Sequence, residues 1–201
     1  MPLNPTEYLS VLVSIVVGLG ISHLLAGTGK LVVARRRVSM YSPTLMAMLL
    51  VFLAHVQFWW GNLGYGEEVE GNFFAFLAFL VGPVLLYLLA VLVLPDFDQE
   101  GELSLQAHYE ENRPWFFGIA LALPVTSALR NVLVQGDPVF TAERPFEIVF
   151  AALALSGLLV RNPRYHAVLG GLLLALFASM MLLTGLRPTR RRPLGWDVYV
   201  P

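Results

Sequence analysis

The chain has 201 residues, 57% hydrophobic and 13% charged, with a formal net charge of -1 and a mean hydropathy of +0.68. A soluble domain carries about a quarter charged residues, so this composition excludes a soluble enzyme, a disordered chain and a nucleic-acid binder. The absence of cysteine removes disulfides, thiolate metal sites, iron–sulfur clusters and covalent c-type haem.

The apolar residues gather in six segments, each long enough, or nearly so, for a bilayer of roughly 30 Å that takes about 20 helical residues to cross. The expected fold is an all-α integral membrane protein: a six-helix transmembrane bundle in one domain over 1–186, with a basic tail over 187–201. The first helix is expected at 5–36. Asn4 caps it, Pro5 suits the first helical position and Glu7 folds back on the cap. The run has no basic residue before it and no A-x-A site, so it reads as a helix and not a signal peptide. At 1.5 Å per residue it is roughly 48 Å long, so its last turns are expected to protrude. Ser10, Ser14, Gly18 and Ser22, with Ala26, recur every four residues on one face. Such stripes let helix backbones approach closely, as a subunit interface or a pore-lining face.

The second helix, 43–61, opens at Ser42-Pro43 and ends in His55-Val56-Gln57-Phe58-Trp59-Trp60. His55 and Gln57 beside two tryptophans are candidates for a quinone headgroup site or a proton relay. The loop after it carries Glu67, Glu68 and Glu70, an acidic mouth or a solvated turn. The third helix, 72–94, holds Gly82-Pro83 near its middle. The loop over 96–112 is the longest. Leu103, Leu105, Ala107 and Tyr109 alternate with polar residues at a strand-like period, with an interfacial helix as the alternative. The fourth helix, 113–135, opens at Asn112-Arg113-Pro114 and holds Pro124 near its middle. The fifth, 142–160, has the shortest clean apolar part. The sixth, 163–185, opens at Asn162-Pro163.

The third and fourth helices run in opposite directions, so Pro83 and Pro124 both fall near the midplane. A helix proline frees backbone carbonyls that can bind ions or act as a hinge. Thr126, Ser127, Arg130 and Asn131 follow Pro124. An intramembrane arginine either snorkels or pairs. Glu7 is already used as a cap, so Glu147 is the expected partner of Arg130, in a pair that is structural or gates an outer mouth.

Imidazole both ligates metals and titrates near neutral pH. His23, His166 and His108 fall on the inner side, near Asp96, Asp98, Glu100 and Glu102, and are candidate haem or metal ligands. His55 lies in the outer half, roughly 10 Å or more from the depth of His23 at helical rise, and does not share an iron with it. Ala154-Leu155-Ser156-Gly157 departs from the intramembrane serine protease motif at its first position. No HExxH motif and no phosphate loop is present, so no enzyme activity is assigned.

Lys30, Arg35, Arg36 and Arg37 in the first loop, with Arg161 and Arg164 in the fifth, place the N-terminus outside by the positive-inside rule. Arg187, Arg190, Arg191 and Arg192 in the tail oppose this for an even number of spans. Capped apolar helices with short loops are similar in type to small bacterial inner-membrane proteins, which sets the expected location. The lipid bilayer is the expected partner, together with further copies of the chain. The leading functional expectation is a channel or transporter-like homo-oligomer for an ion or small solute. The alternatives are a haem-, metal- or quinone-binding redox or sensor protein, and a non-catalytic membrane interaction partner.

Overall fold

The structure, a computed structural model, describes residues 5–61, 73–97, 101–133 and 144–185. Glu67, Glu68, Glu70, Asp98, Glu100 and the tail over 187–201 lie outside the described residues. The elements in chain order are α1 (Pro5–Val33), β1 (Val38–Ser39), α2 (Ser42–Gly61), α3 (Phe73–Val93), β2 (Leu103–Ser104), α4 (Leu105–Leu133), α5 (Arg144–Leu159) and α6 (Pro163–Gly185). Five of these helices, α1, α2, α3, α4 and α6, are long and apolar enough to cross a membrane, so this is a multi-pass helical membrane protein. Many large apolar side chains face outward, such as Leu19, Leu25, Val84, Val125 and Leu172. Lipid, unlike water, exacts no penalty for exposing them.

Two helix boundaries differ from expectation. The first helix stops at Val33, short of 36. The Arg37 amide donates to the Ala34 carbonyl at 2.9 Å, which closes a turn, and the next two residues become a strand. The fourth helix starts at Leu105, not 113. The Ala107 amide donates to Ser104 Oγ at 3.2 Å, a helix N-cap. Pro114 then sits inside the helix and costs it one backbone hydrogen bond. Buried Leu105 and Tyr109 hold the added turns in place. The alternating pattern over 103–109 therefore resolves into two strand residues and a helix start. That strand pairs parallel with β1, Val38 opposite Leu103 and Ser39 opposite Ser104. Arg37 Nη2 donates to the Phe97 carbonyl at 2.6 Å and Thr44 Oγ1 to that of Leu105 at 3.2 Å. These bonds tie the two inter-helix connections together at what is called the strand end below.

Helices α2 and α3, α3 and α4, α4 and α5, α5 and α6, and α6 and α2 pack pairwise. Five helices thus close a ring, and α1 lies outside it against α3 and α2. Close approach relies on glycines facing large side chains, as at Gly27 with Leu94, Gly82 with Phe58 and Gly170 with Met46. The short α5 runs antiparallel to α4. Its start meets the end of α4 through Glu147 and Ser127, and its end meets the start of α4 through Arg113.

Candidate functional site

The helix ring encloses a cavity of about 400 Å³, a size found for small-molecule sites, roughly 300–1,000 Å³. All five ring helices line it, and α1 does not. Its lining changes character with depth. At the end away from the strands, the mouth, stand Gln57, Ser127, Arg130, Asn131 and Glu147. The deep part is formed by Leu50, Leu89, Phe116, Phe117, Ala154 and Leu173.

The mouth is built from the last turns of α4 and the first turn of α5. Ser127 Oγ donates to Glu147 Oε1 at 2.9 Å, and Arg144 Nη1 donates to Glu147 Oε2 at 2.6 Å. The expected Arg130–Glu147 pair is therefore corrected: the carboxylate is ion-paired with Arg144. Arg144 lies three residues earlier on the same helix, where neighbouring side chains meet. Arg130 sits with its guanidinium 4.9 Å from the Phe79 ring centroid, a cation–π contact. Its Nε and Nη2 reach Asn131 Oδ1 at 3.4 and 3.3 Å. Both Arg130 and Glu147 nonetheless line the same mouth.

Pro124 is buried in the cavity wall and α4 is helical on both sides of it. It leaves the carbonyl four residues back, that of Ala120, without its helical donor. Thr126 Oγ1 bridges the next turn by donating to the carbonyls of Ala122 and Leu123 at 2.9 and 3.0 Å. Pro83 is likewise buried inside an unbroken α3. Gly82 beside it takes the Phe58 ring against its backbone.

The floor is sealed by a polar and aromatic cluster. Phe117 lines the cavity and packs on the rings of His166 and Tyr109, with centroids 5.6 and 6.5 Å apart. His166 Nε2 donates to the Val160 carbonyl at 2.8 Å, which leaves Nδ1 to accept from the Tyr109 hydroxyl at 2.9 Å. Arg113 Nη1 donates to the carbonyls of Gly157, Leu158 and Val160 at 2.9, 2.8 and 3.0 Å. It caps the end of α5, where the helix dipole favours a cation. At the strand end Tyr41 packs edge-on against Tyr109. Burial first, and the Glu110 carboxylate second, hold the Tyr41 hydroxyl above its ordinary pKa.

The histidines do not converge. His166 has both ring nitrogens engaged, as above. His108 Nε2 meets the Leu92 carbonyl at 3.0 Å and its Nδ1 the Asn112 amide at 3.3 Å. His23 is exposed on α1 beside Tyr87. Among the described residues no three His, Asp or Glu side chains form a metal-binding group. His55 and Gln57 also part company. Two residues apart on a helix they face different ways: Gln57 lines the mouth, whereas His55 is fully buried with its Nε2 against Gly20 of α1. His55 Nδ1 donates to the Val51 carbonyl at 2.8 Å. On the small-residue stripe, Ser10 and Ser22 are exposed and Gly18 faces open space. Ser14 accepts from Trp59 Nε1 at 3.2 Å. The stripe faces away from the cavity and is no part of its wall.

Sequence reasoning missed Arg144, Arg113 and Tyr109. The Arg144–Glu147 spacing was a usable signal. Arg113 was hidden by the expectation of a helix start at that position. No protein-family model, no curated protein and no solved structure matches this chain.

Proposed function

We propose that the chain is a six-span membrane carrier for a small solute, with α5 as a short sixth span. The N-terminus and the cavity mouth face outward from a bacterial cytoplasmic membrane. The observation that carries the reading is the cavity of about 400 Å³ inside the ring, polar at its mouth and closed at its floor by Phe117, Tyr109 and His166. A site open at one end and sealed at the other suits a carrier better than a continuous pore. Pro83 and Pro124, both in the ring, supply the weakened helix positions at which a carrier bends. Lys30, Arg35, Arg36, Arg37, Arg161 and Arg164 cluster at the strand end, which supports placing that end inside. Copies of the chain assemble through the outward stripe of α1.

The chain has no cysteine, so a single introduced thiol reports accessibility cleanly. Ser127→Cys at the mouth is expected to react with a membrane-impermeant methanethiosulfonate added outside right-side-out vesicles, and not with one added inside. Reaction from inside alone overturns the orientation. Reaction from neither side overturns the carrier reading.

A further inference from the structure

The wall of the cavity says what fits it. Leu50 and Gly61 of α2 both line it, a span of roughly 16 Å at about 1.5 Å per residue. Below the mouth the wall is carried by Leu89, Phe116, Phe117, Phe150, Leu173 and Phe177, whose side chains offer a solute no hydrogen bond. The Ala120 carbonyl, left without its helical donor by Pro124, adds a single acceptor. A sugar or a hydrated ion would give up its water there and regain almost nothing. A hydrocarbon tail binds about fourfold better for each methylene it brings from water. It loses nothing on moving from lipid into an equally apolar wall.

Length and volume set the tail. An extended chain advances about 1.3 Å per carbon, the axial share of a single bond of about 1.5 Å, so roughly 16 Å takes about 12 carbons. At about 30 Å³ per carbon, similar to the share of a water in the liquid, those carbons occupy about 360 Å³. The cavity of about 400 Å³ therefore holds one such chain, and the two tails of a bilayer phospholipid exceed it. Gln57, Ser127 and Asn131 stand at the mouth and can donate and accept hydrogen bonds, so a polar head keeps its partners there. On the reading that the cavity is a solute site, we infer that its ligand is a single-chain amphiphile of about 12 carbons, with its tail in the floor and its polar head at the mouth.

The test uses the full chain in phosphatidylcholine nanodiscs with three probes that carry a diazirine at a tail end: hexanol, dodecanol and a phosphatidylcholine. Mass spectrometry locates the labels. Dodecanol is expected to label the floor around Phe117 and Leu173 tenfold more than the phospholipid does. Unlabelled dodecanol is expected to compete, and sorbitol is not. Hexanol, held by its head at the mouth, is expected to label the wall higher up, around Phe150 and Phe177. Ala120 and Ala154 line the deep part. Ala120→Leu and Ala154→Leu are each expected to cut floor labelling by dodecanol at least fivefold. Hexanol labelling of Phe177 and labelling of outward-facing Leu19 on α1 should stay constant, which reports that the ring is intact. Unchanged floor labelling in both variants overturns the placement of the tail. Equal floor labelling by the phospholipid overturns the single-chain assignment, and competition by sorbitol overturns the apolar one. Floor labelling by no probe, with Leu19 labelled and Ser127→Cys still reacting from outside, overturns the tail site and leaves the carrier reading standing. Loss of that reaction as well overturns both.

Discussion

Gly20→Ala should destabilise this protein, and Gly18→Ala, on the same helix, should not. A β-carbon at Gly20 would lie 2.1 Å from His55 Nε2, 2.7 Å from Cδ2 and 3.1 Å from Cε1. Three ring atoms are involved, so the imidazole has to move as a whole. It is fully buried, and Nδ1 is tied to the Val51 carbonyl at 2.8 Å. Either α1 separates from α2 or that bond breaks. Overpacking of this kind costs about 1–3 kcal/mol and the lost hydrogen bond about 1 kcal/mol. Alanine returns up to about 1 kcal/mol of helix propensity. The net loss is about 1–3 kcal/mol. At Gly18 a β-carbon meets nothing within 4 Å, so only the propensity gain of up to about 1 kcal/mol remains. Unfolding in a dodecyl sulfate titration of mixed micelles measures both. His55→Ala combined with Gly20→Ala should recover at least about 1 kcal/mol of the loss, as expected for residues in contact. Equal stability of the two glycine variants, or no coupling with His55, would falsify the α1–α2 packing described here.

The other predictions concern the floor and the strand end. Arg113→Met removes the donor to three carbonyls at the end of α5 and should cost about 3 kcal/mol, the scale for hydrogen bonds made by a charged group; a change under about 0.5 kcal/mol in the same titration would contradict that role. Tyr41 is held above its ordinary pKa by burial and by Glu110. The unfolded chain ionises this phenol first, so its stabilising contribution is complete below about pH 10 and is lost as pH rises beyond that. Tyr41→Phe should flatten the alkaline fall in stability, and tyrosinate absorbance should show one fewer late-titrating phenol; an unchanged alkaline profile would count against the assignment.

Much of the scaffold was legible because lipid imposes simple demands. Runs such as 73–93 must satisfy their own backbone, so length and hydropathy locate them, and the caps at Ser42-Pro43 and Asn162-Pro163 give starts within a residue. The failures fall where local signals compete. Asn112-Arg113-Pro114 looks like a helix start, yet packing of Leu105 and Tyr109 extends α4 across it, because one lost hydrogen bond is cheaper than unpacking two buried side chains. The stripe of Ser10, Ser14, Gly18 and Ser22 is regular in the sequence, but periodicity cannot say whether such residues look inward or outward. That choice follows from the ring closing without α1.

The cavity was illegible for a different reason. It comes from which side chains fail to meet. Ala120 and Ala154 are small residues on facing helices where leucine would fill the space. In the sequence they are ordinary members of apolar runs. Glu147 shows the same point for charge. The sequence reading chose it over Glu7 as the partner of Arg130 and passed over Arg144, three residues before it. A partner on the same helix turn needs no tertiary placement, whereas Arg130 reaches Glu147 only if two helices meet at the right register. The structure gives Glu147 to the local partner and leaves Arg130 lining the wall with Asn131 and Phe79. That exchange separates the two members of the expected gating pair, although both line the mouth. Double-mutant cycles discriminate the two arrangements. In the unfolding titration Glu147→Gln should couple to Arg144→Gln by up to about 1 kcal/mol, while Glu147→Gln and Arg130→Gln should add to within about 0.5 kcal/mol; coupling to Arg130 alone would refute the assignment.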